Sequence, residues 1–406
     1  MPASPSTARA INDRHALNLL QERGPLTAGQ LKQLTGLSRP SVADLVERLG
    51  DSGLIGVVGE SGEQRRGPNA RLYGIVADRA HLAALDIRTH GVSVVVTDLV
   101  GTTLAEASAP IPEGARSGPS VERAVALLEE ATREAGASAL HSVGVGAPGL
   151  IDPVTGVLNG STGLPAWHRD LVGVLRERLP ATVLVENETN LAALAEQRVG
   201  AARDRDTFVL LWLGLSVGAA VVLDGSLRRG ASGGTGEIGF LPVPGTKGLP
   251  SATECGGGFH ALVGSAAVTA LAAEHGLSAR AAAHEPAAAA HIRAAARALA
   301  PEGGAGSARG QAAARFLDAL AGRLAIGAAS VAAVLDPGCV VLGGELGEAG
   351  GAALADRVAA RLAALSPLAT EVRAGSLGGG AVLRGALLMT RDAAQDEVFA
   401  ARGRLG

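Results

Sequence analysis

The sequence predicts an α/β protein with a duplicated body, preceded by an N-terminal all-α, winged helix-turn-helix domain. Three observations lead there. Residues 82–106 ("LAALDIRTHGVSVVVTDLVGTTLAE") and 207–230 ("TFVLLWLGLSVGAAVVLDGSLRRG") share one plan of strand, polar turn, strand, turn and strand. Each is followed by helical and strand patterns, so the body reads as two related halves with a cleft between them, a common place for a ligand. The 57 glycines are scattered without a collagen-like period, as tight turns in an α/β chain would place them.

At 406 residues the chain is too long for one core and suits two or three domains. It is 47% hydrophobic but has two Trp, one Tyr and five Phe, so Ala, Leu and Val must fill its cores. Two cysteines, Cys255 and Cys339, exclude a disulfide framework. The start, "MPASPSTARAINDRH", has no apolar core like that of a signal peptide. The most apolar run, 208–223, is shorter than a membrane span and broken by Gly and Ser. A soluble, cytoplasmic protein with no membrane partner is expected. Net charge is −3, but residues 1–80 hold 10 Lys+Arg against 8 Asp+Glu, a balance that permits nucleic-acid binding without demanding it.

In chain order, "ALNLLQERG" (16–24) predicts a helix ending at Gly24, with Pro25 just beyond. In "LTAGQLKQLTG", Thr27 and Gln30 form a capping-box pattern, Leu31 and Leu34 supply a buried face, and Gly36 ends the helix. "SRPSVADLVERLGDSGLI" predicts a third helix with Ser38 as N-cap and Pro40 in the first turn. Val42, Leu45, Val46 and Leu49 make its buried stripe. Two short helices across a Gly-containing turn are a helix-turn-helix. Its DNA-reading residues would be Ser38, Arg39 and Ser41, with Arg48 further along, because the start of the second helix reaches base edges. "LIGVVGESGEQRRGPNARLYGI" follows as a hairpin wing whose Arg65, Arg66 and Arg71 suit phosphates or a narrow minor groove. A small helical domain with a solvated basic loop, or a winged helix that meets protein, would show the same pattern.

Four stretches of the body then carry a resemblance: "GVGAPGLIDPVTG" (144–156), "VENETNLAALAE" (185–196), "LDGSLRRGASGGTGEIG" (223–239) and "VLDPGCVVLGGEL" (334–346). In this order, behind a winged helix with "RRGPNARLY", they resemble the repressors of the ROK family. The resemblance implies an actin-like, sugar-kinase-like body of duplicated ribonuclease-H type. It places the winged helix at 1–78, the first half at 79–200 with the helix 385–400 returning to it, and the second half at 201–390.

Sugar phosphorylation needs a base, a phosphate cradle and Mg²⁺. In the kinase branch the cradle looks like Asp-Ile-Gly-Gly-Thr; here "DIRTH" keeps Asp86 but sets Arg88 and Thr89 where glycines would be. The second phosphate turn, "GLSVGAA", is altered as well. The base motif resembles Glu-Asn-Asp-Ala-Asn, with Glu188 in place of the Asp. A carboxylate one methylene longer misplaces the base, and about 1 Å can cost a hundredfold in rate. Glu188 and Asn187 are therefore expected to hold ligand hydroxyls, unless Glu188 only caps the following helix. Glu237, Gly149 and Thr162 belong to the same expected pocket. Many ROK proteins hold zinc through a His and three Cys after "GEIGH". Here Phe240 replaces the His and Cys255 is the lone thiol of the segment, so neither metal nor cofactor is expected. Phe240 would offer an apolar face instead, and Trp167 should be core. The Ala-rich stretch 266–300 should be helical in pieces, with His284 and His291 at its surface; 301–310 reads as a linker before a helix from Gln311 to about Leu335.

These expectations describe a repressor of carbohydrate uptake or catabolism genes. Its partners would be double-stranded DNA with an inverted-repeat operator, a sugar or sugar-like effector, and further copies of itself in a homodimer or dimer of dimers. The alternative is an ATP-dependent sugar kinase with an appended winged helix.

Overall fold

In the computed structural model the described residues are 5–61, 70–112, 114–159, 164–246, 248–251, 257–282, 285–300 and 306–400. The N-terminal domain runs α1 (Pro5–Arg23), β1 (Leu26–Thr27), α2 (Ala28–Thr35), α3 (Arg39–Asp51), β2 (Ile55–Ser61) and β3 (Ala70–Ile75). Local chemistry explains its joints. Thr27 accepts from the Gln30 amide while the Gln30 side chain accepts from the Thr27 amide, so the capping box closes from both ends. Gly36 ends α2 with a φ of 71°, where a side chain would be strained. Ser38 accepts from the Ser41 amide and starts α3. Strands β2 and β3 pair antiparallel as the wing, and β1 adds to the outer edge of β3. Val42, Leu45 and Leu49 are buried against Leu17, Leu20 and Leu31.

Helix α1 begins two to three turns before the apolar stripe that announces it, because its first turns are exposed. Polar contacts with the C-terminal helix hold that part. Arg14 donates to the Gln395 carbonyl (3.2 Å), pairs with Asp396, and lies over the Phe399 ring at 5.4 Å.

The body is two sheets of the same design. The first is ordered β6 (Thr103–Pro110), β5 (Gly91–Asp98), β4 (His81–Arg88), β7 (Ser142–Ala147), β8 (Thr182–Asn187). The second is ordered β11 (Ser226–Arg228), β10 (Val217–Leu223), β9 (Phe208–Leu213), β12 (Cys339–Gly343), β13 (Glu371–Ala374). In each, three antiparallel strands are extended by two parallel ones. Strands β7 and β9 are buried along their whole length, as central strands covered on both faces must be.

Helices α4 (Ser117–Glu134) and α5 (Trp167–Arg178) cover the outer face of the first sheet, and Trp167 is core there. Helix α6 (Glu188–Val199) and the last helix, α12 (Ala381–Ala400), lie between the halves, where Ala84, Leu191, Phe208, Val341 and Ala386 share one apolar cluster. The second sheet is backed by α7 (His260–Val263), α8 (Ser265–Glu274), α9 (Ala287–Leu299), α10 (Ala308–Leu335) and α11 (Gly344–Leu365). Helix α10 is long and apolar enough to cross a membrane by length and composition, yet Phe316, Leu317, Leu320 and Leu324 sit in the core of this half. It starts three residues earlier than expected, inside the predicted linker, because Ser307 caps it by accepting from the Gly310 amide. His291 was expected at the surface but is buried on α9, whose inward face is otherwise alanine and isoleucine; His284 lies outside the described residues.

Candidate effector cleft and nucleic-acid interface

On the helix-turn-helix, Ser38, Arg39 and Ser41 are exposed at the start of α3. The two serine hydroxyls lie 2.8 Å apart, and Arg39 makes no ion pair among the described residues. Arg71 is exposed on the wing strand β3, opposite Glu60, while Arg65 and Arg66 lie outside the described residues. Arg48, expected further along the reading helix, is ion-paired within the domain. Its guanidinium is held by Asp13 of α1 (2.6 Å) and by Asp44, so it fastens α3 to α1. The pairing with Asp13 spans 35 residues and left no mark in the helical periodicity.

Between the halves lies a cleft of about 560 Å³, walled by the end of β8, the start of α6, strand β10 and the glycine-rich loop after β11. It brings together Gly149, Asn187, Glu188, Glu237 and Phe240; Thr162 lies outside the described residues. The loop can approach closely because it carries glycine. A Cβ on Gly233 would stand 1.9 Å from the Ile151 carbonyl oxygen, and one on Gly236 equally close to that of Ala219. Phe240 lines the cleft from a short 3₁₀ turn and is 44% exposed.

Asn187, not Glu188, caps α6. Its Oδ1 accepts from the amides of Thr189 (2.8 Å) and Asn190 (3.3 Å), and its Nδ2 donates to the Gly149 carbonyl (3.0 Å) and to Glu188 (2.9 Å). Both ends of the amide are thus engaged within the protein, and Asn187 positions Glu188 at the cleft wall that it also lines. Burial, with Asp86 and Glu237 nearby, pushes the Glu188 carboxyl up to about 8. Near neutral pH it is mostly a carboxylic acid, able to donate as well as accept. Burial also raises the Glu237 carboxyl and lowers His260, a cleft residue that the sequence reading did not assign.

A second unassigned pair stands behind Asn187. Glu186 is 4% exposed and receives Arg229 at 2.6 Å, while its other oxygen accepts from the Asn187 amide (3.0 Å) and Asn190 Nδ2 (2.9 Å). The sequence signal was the polar cluster at the strand end, but its cation comes from 43 residues away.

A separate cavity of about 700 Å³ is lined by the "DIRTH" turn, Leu215, Glu345 and Gly379. Arg88 belongs to that lining. It meets Asp86 at 2.7 Å, donates to Glu345 of α11 at 2.7 Å, and donates to the Gly379 carbonyl, just ahead of α12, at 2.5 Å. Burial raises the Asp86 carboxyl, although Arg88 opposes the shift. His168 is buried against Trp167, and burial lowers it to about 4, although the Arg88 backbone, too poorly placed for a well-formed hydrogen bond, opposes the shift. Among the described residues, no group of three or more His, Cys, Asp or Glu side chains could hold a metal; Cys255 lies outside them.

This geometry defines a class: a sugar-kinase-like, two-lobed body joined to a winged helix. A profile of the ROK family matches residues 82–393, and one of winged helix-turn-helix DNA-binding domains matches residues 9–55. The chain belongs to the ROK family. Over 245 residues it is 27% identical to the DNA-binding transcriptional dual regulator NagC of Escherichia coli K12, covering 58% of each chain. It is 22% identical to the xylose repressor of Bacillus subtilis 168, covering 59% of this chain and 62% of that one. The chain thus spans somewhat under two thirds of the length of these curated relatives. Among solved structures, a ROK family transcriptional regulator described as a homologue of the E. coli MLC protein shares the fold. It covers 97% of this chain and 98% of its own, with a TM-score of 0.73 and 21% identity. A ROK hexokinase from Thermus thermophilus is 27% identical with a TM-score of 0.59, covering 78% of this chain and 99% of its own.

Proposed function

We propose that the protein is a transcriptional repressor of carbohydrate uptake or catabolism genes, whose cleft takes a sugar or sugar-like effector without phosphorylating it. The observation that carries this reading is Arg88. Its guanidinium stands in the turn where a kinase needs glycine amides, and it is already bonded to two carboxylates and a carbonyl. The names of the repressors it resembles favour the same reading. Among the described residues lining the effector cleft there is no Lys or Arg, and the carboxyls are those of Glu188 and Glu237. A neutral saccharide suits that lining better than a sugar phosphate, whose charge would meet no cation.

Ser38, Arg39 and Ser41 would read base edges, with Arg71 and the wing on phosphates, in a cytoplasmic homodimer on an inverted repeat. The signal would travel along α12. That helix starts beside Gly379 at the Arg88 clasp and ends under the winged helix. There Gln395 Nε2 donates both to Gln21 of α1 (2.7 Å) and to the Leu99 carbonyl (2.9 Å). An effector can release DNA only by as much as it prefers one arrangement of these parts.

The test is a gel shift with purified protein and the intergenic DNA flanking its gene, with excess nonspecific competitor and a panel of sugars and sugar phosphates. A specific shift altered by one neutral sugar supports the proposal. Sugar-dependent ATP hydrolysis by the same preparation, with no specific shift, would sink it.

A further inference from the structure

Helix α6 starts in the effector cleft and ends at a buried carboxylate that the cleft does not use. Its first residues, Glu188, Thr189 and Asn190, line the cleft. Glu196 lies two turns further on, about 12 Å along the axis, and is 1% exposed. Its partners are all neutral donors. Oε1 accepts from the amides of Ser376 (2.8 Å) and Leu377 (3.0 Å), and Oε2 accepts from the Ala201 amide (2.6 Å) and the Ser376 hydroxyl (3.0 Å). Residues 376 and 377 stand directly ahead of the Gly378–Gly380 turn, whose Gly379 carbonyl takes Arg88, and α12 follows at once. Glycines let these parts approach. A Cβ on Gly200 would stand 2.0 Å from Glu196 Oε2, and one on Gly385 of α12 would stand 2.0 Å from the Leu191 carbonyl oxygen of α6. The two helices therefore cross in backbone contact.

A buried carboxylate with no cation is costly, and it persists only where hydrogen bonds engage both of its oxygens. A leucine at this position would pack against the same surfaces, but it would not hold a chain segment 180 residues away. We propose that Glu196 is the positioning residue of the allosteric route: it pins the loop ahead of α12 to the end of α6, so that a ligand bearing on Glu188 moves α6, the loop and α12 as one piece. The proposal rests on the effector reading above and names its missing link, from the cleft to the helix that meets the winged helix through Gln395 and Gln21. A ligand gains this leverage only by contacting the first turn of α6 differently in the two arrangements.

The experiment is a double-mutant cycle on the full chain, read by hydrogen–deuterium exchange and mass spectrometry across the loop and the start of α12. Glu196→Gln keeps one acceptor oxygen but turns an amide nitrogen toward donors, so exchange at residues 376–377 should speed about tenfold or more. Asn187→Ala frees the opposite end of α6 from its cap and from Gly149, and should speed exchange at the same loop in the parent background. In the Glu196→Gln background that added effect should shrink at least about threefold. Glu188→Gln, a gentler change at the same end, replaces Asn187→Ala if the latter unfolds. The second arm titrates operator DNA with the sugar panel of the gel shift. The ratio of operator affinities with and without the active sugar should fall toward about 1 in Glu196→Gln. Cleft-end changes that leave the loop unaltered, or that multiply exchange equally in both backgrounds, overturn the proposal, as does a full sugar response in Glu196→Gln. A parent that binds operator but answers no sugar overturns the effector reading instead, and the exchange cycle then decides the pin alone.

Discussion

Replacing Arg88 by alanine removes the clasp between the two halves. The guanidinium faces Asp86, Glu345 and the Gly379 carbonyl, and Asp86 is 3% exposed. Removing one partner of a buried ion pair costs about 3–5 kcal/mol, because the other charge stays behind. Two features reduce that figure. The Arg88 side chain is 37% exposed, so solvent screens part of the interaction, and the abandoned Asp86 can take up a proton. A loss of about 2 kcal/mol near neutral pH is expected. The sign with pH follows from linkage. Without Arg88 the folded-state pKa of Asp86 rises further above its unfolded value, so the penalty grows as pH rises and shrinks as it falls. Urea unfolding at pH 5 and pH 8 measures it, and Arg88→Ala with Asp86→Asn should recover most of the loss. The same variant should also blunt the effect of an effector on operator affinity, since α12 loses its anchor at Gly379. A loss below about 0.5 kcal/mol at both pH values, with an unchanged effector response, would refute the clasp.

Four further predictions follow from named contacts. His168, with its folded pKa near 4 against about 6.5 unfolded, contributes stability that is complete above pH 6.5 and lost as pH falls toward 4, roughly 3 kcal/mol in all. His168→Leu should flatten that part of the acid-unfolding curve, and an unaltered curve counts against it. Glu188, raised to about 8, runs the opposite way: its stabilising effect is full below about pH 4.5 and is lost as pH rises through 8. Glu188→Gln should match the parent near pH 4, exceed it in thermal midpoint at pH 6 and exceed it further at pH 9, whereas Glu188→Leu should lose at least about tenfold in effector affinity by calorimetry. Gln395→Ala should cost about 1–2 kcal/mol and weaken the link between effector and operator; a fully coupled variant in a fluorescence operator titration would refute the α12 route. Arg39→Ala should relax specificity at particular bases, while Arg71→Ala should weaken all sequences and reduce the salt slope by about 1; identical behaviour of the two would contradict the docking.

Much of the N-terminal domain is decided within a few residues, and so it could be read from the chain. The Thr27–Gln30 capping box, the left-handed Gly36 and the Ser38 cap each depend on neighbours no more than four positions away. The duplicated sheets were legible too, since strand alternation and turn residues are local. The positions of Glu188 and Phe240 in the cleft followed from the motifs that carry them. What the residues there do was another matter. The motif placed Asn187 beside Glu188, but that its amide caps its own helix and reaches Gly149, 38 positions earlier, was not legible there. The alanine-rich stretch hid the burial of His291, because alanine gives little contrast between an inner and an outer face.

Sequence alone thus determined which elements form and which chemical groups crowd the ends of the strands. Only the tertiary structure decided which charges are spent. Arg88 finds Glu345 across 257 residues and Gly379 across 291, and Arg14 reaches the Gln395 carbonyl across 381. Such pairings leave no periodic trace, because an ion pair depends on where two distant backbones are brought together by burial of apolar surface. The same packing sets how much water reaches Glu188, and with it whether that carboxyl carries a charge.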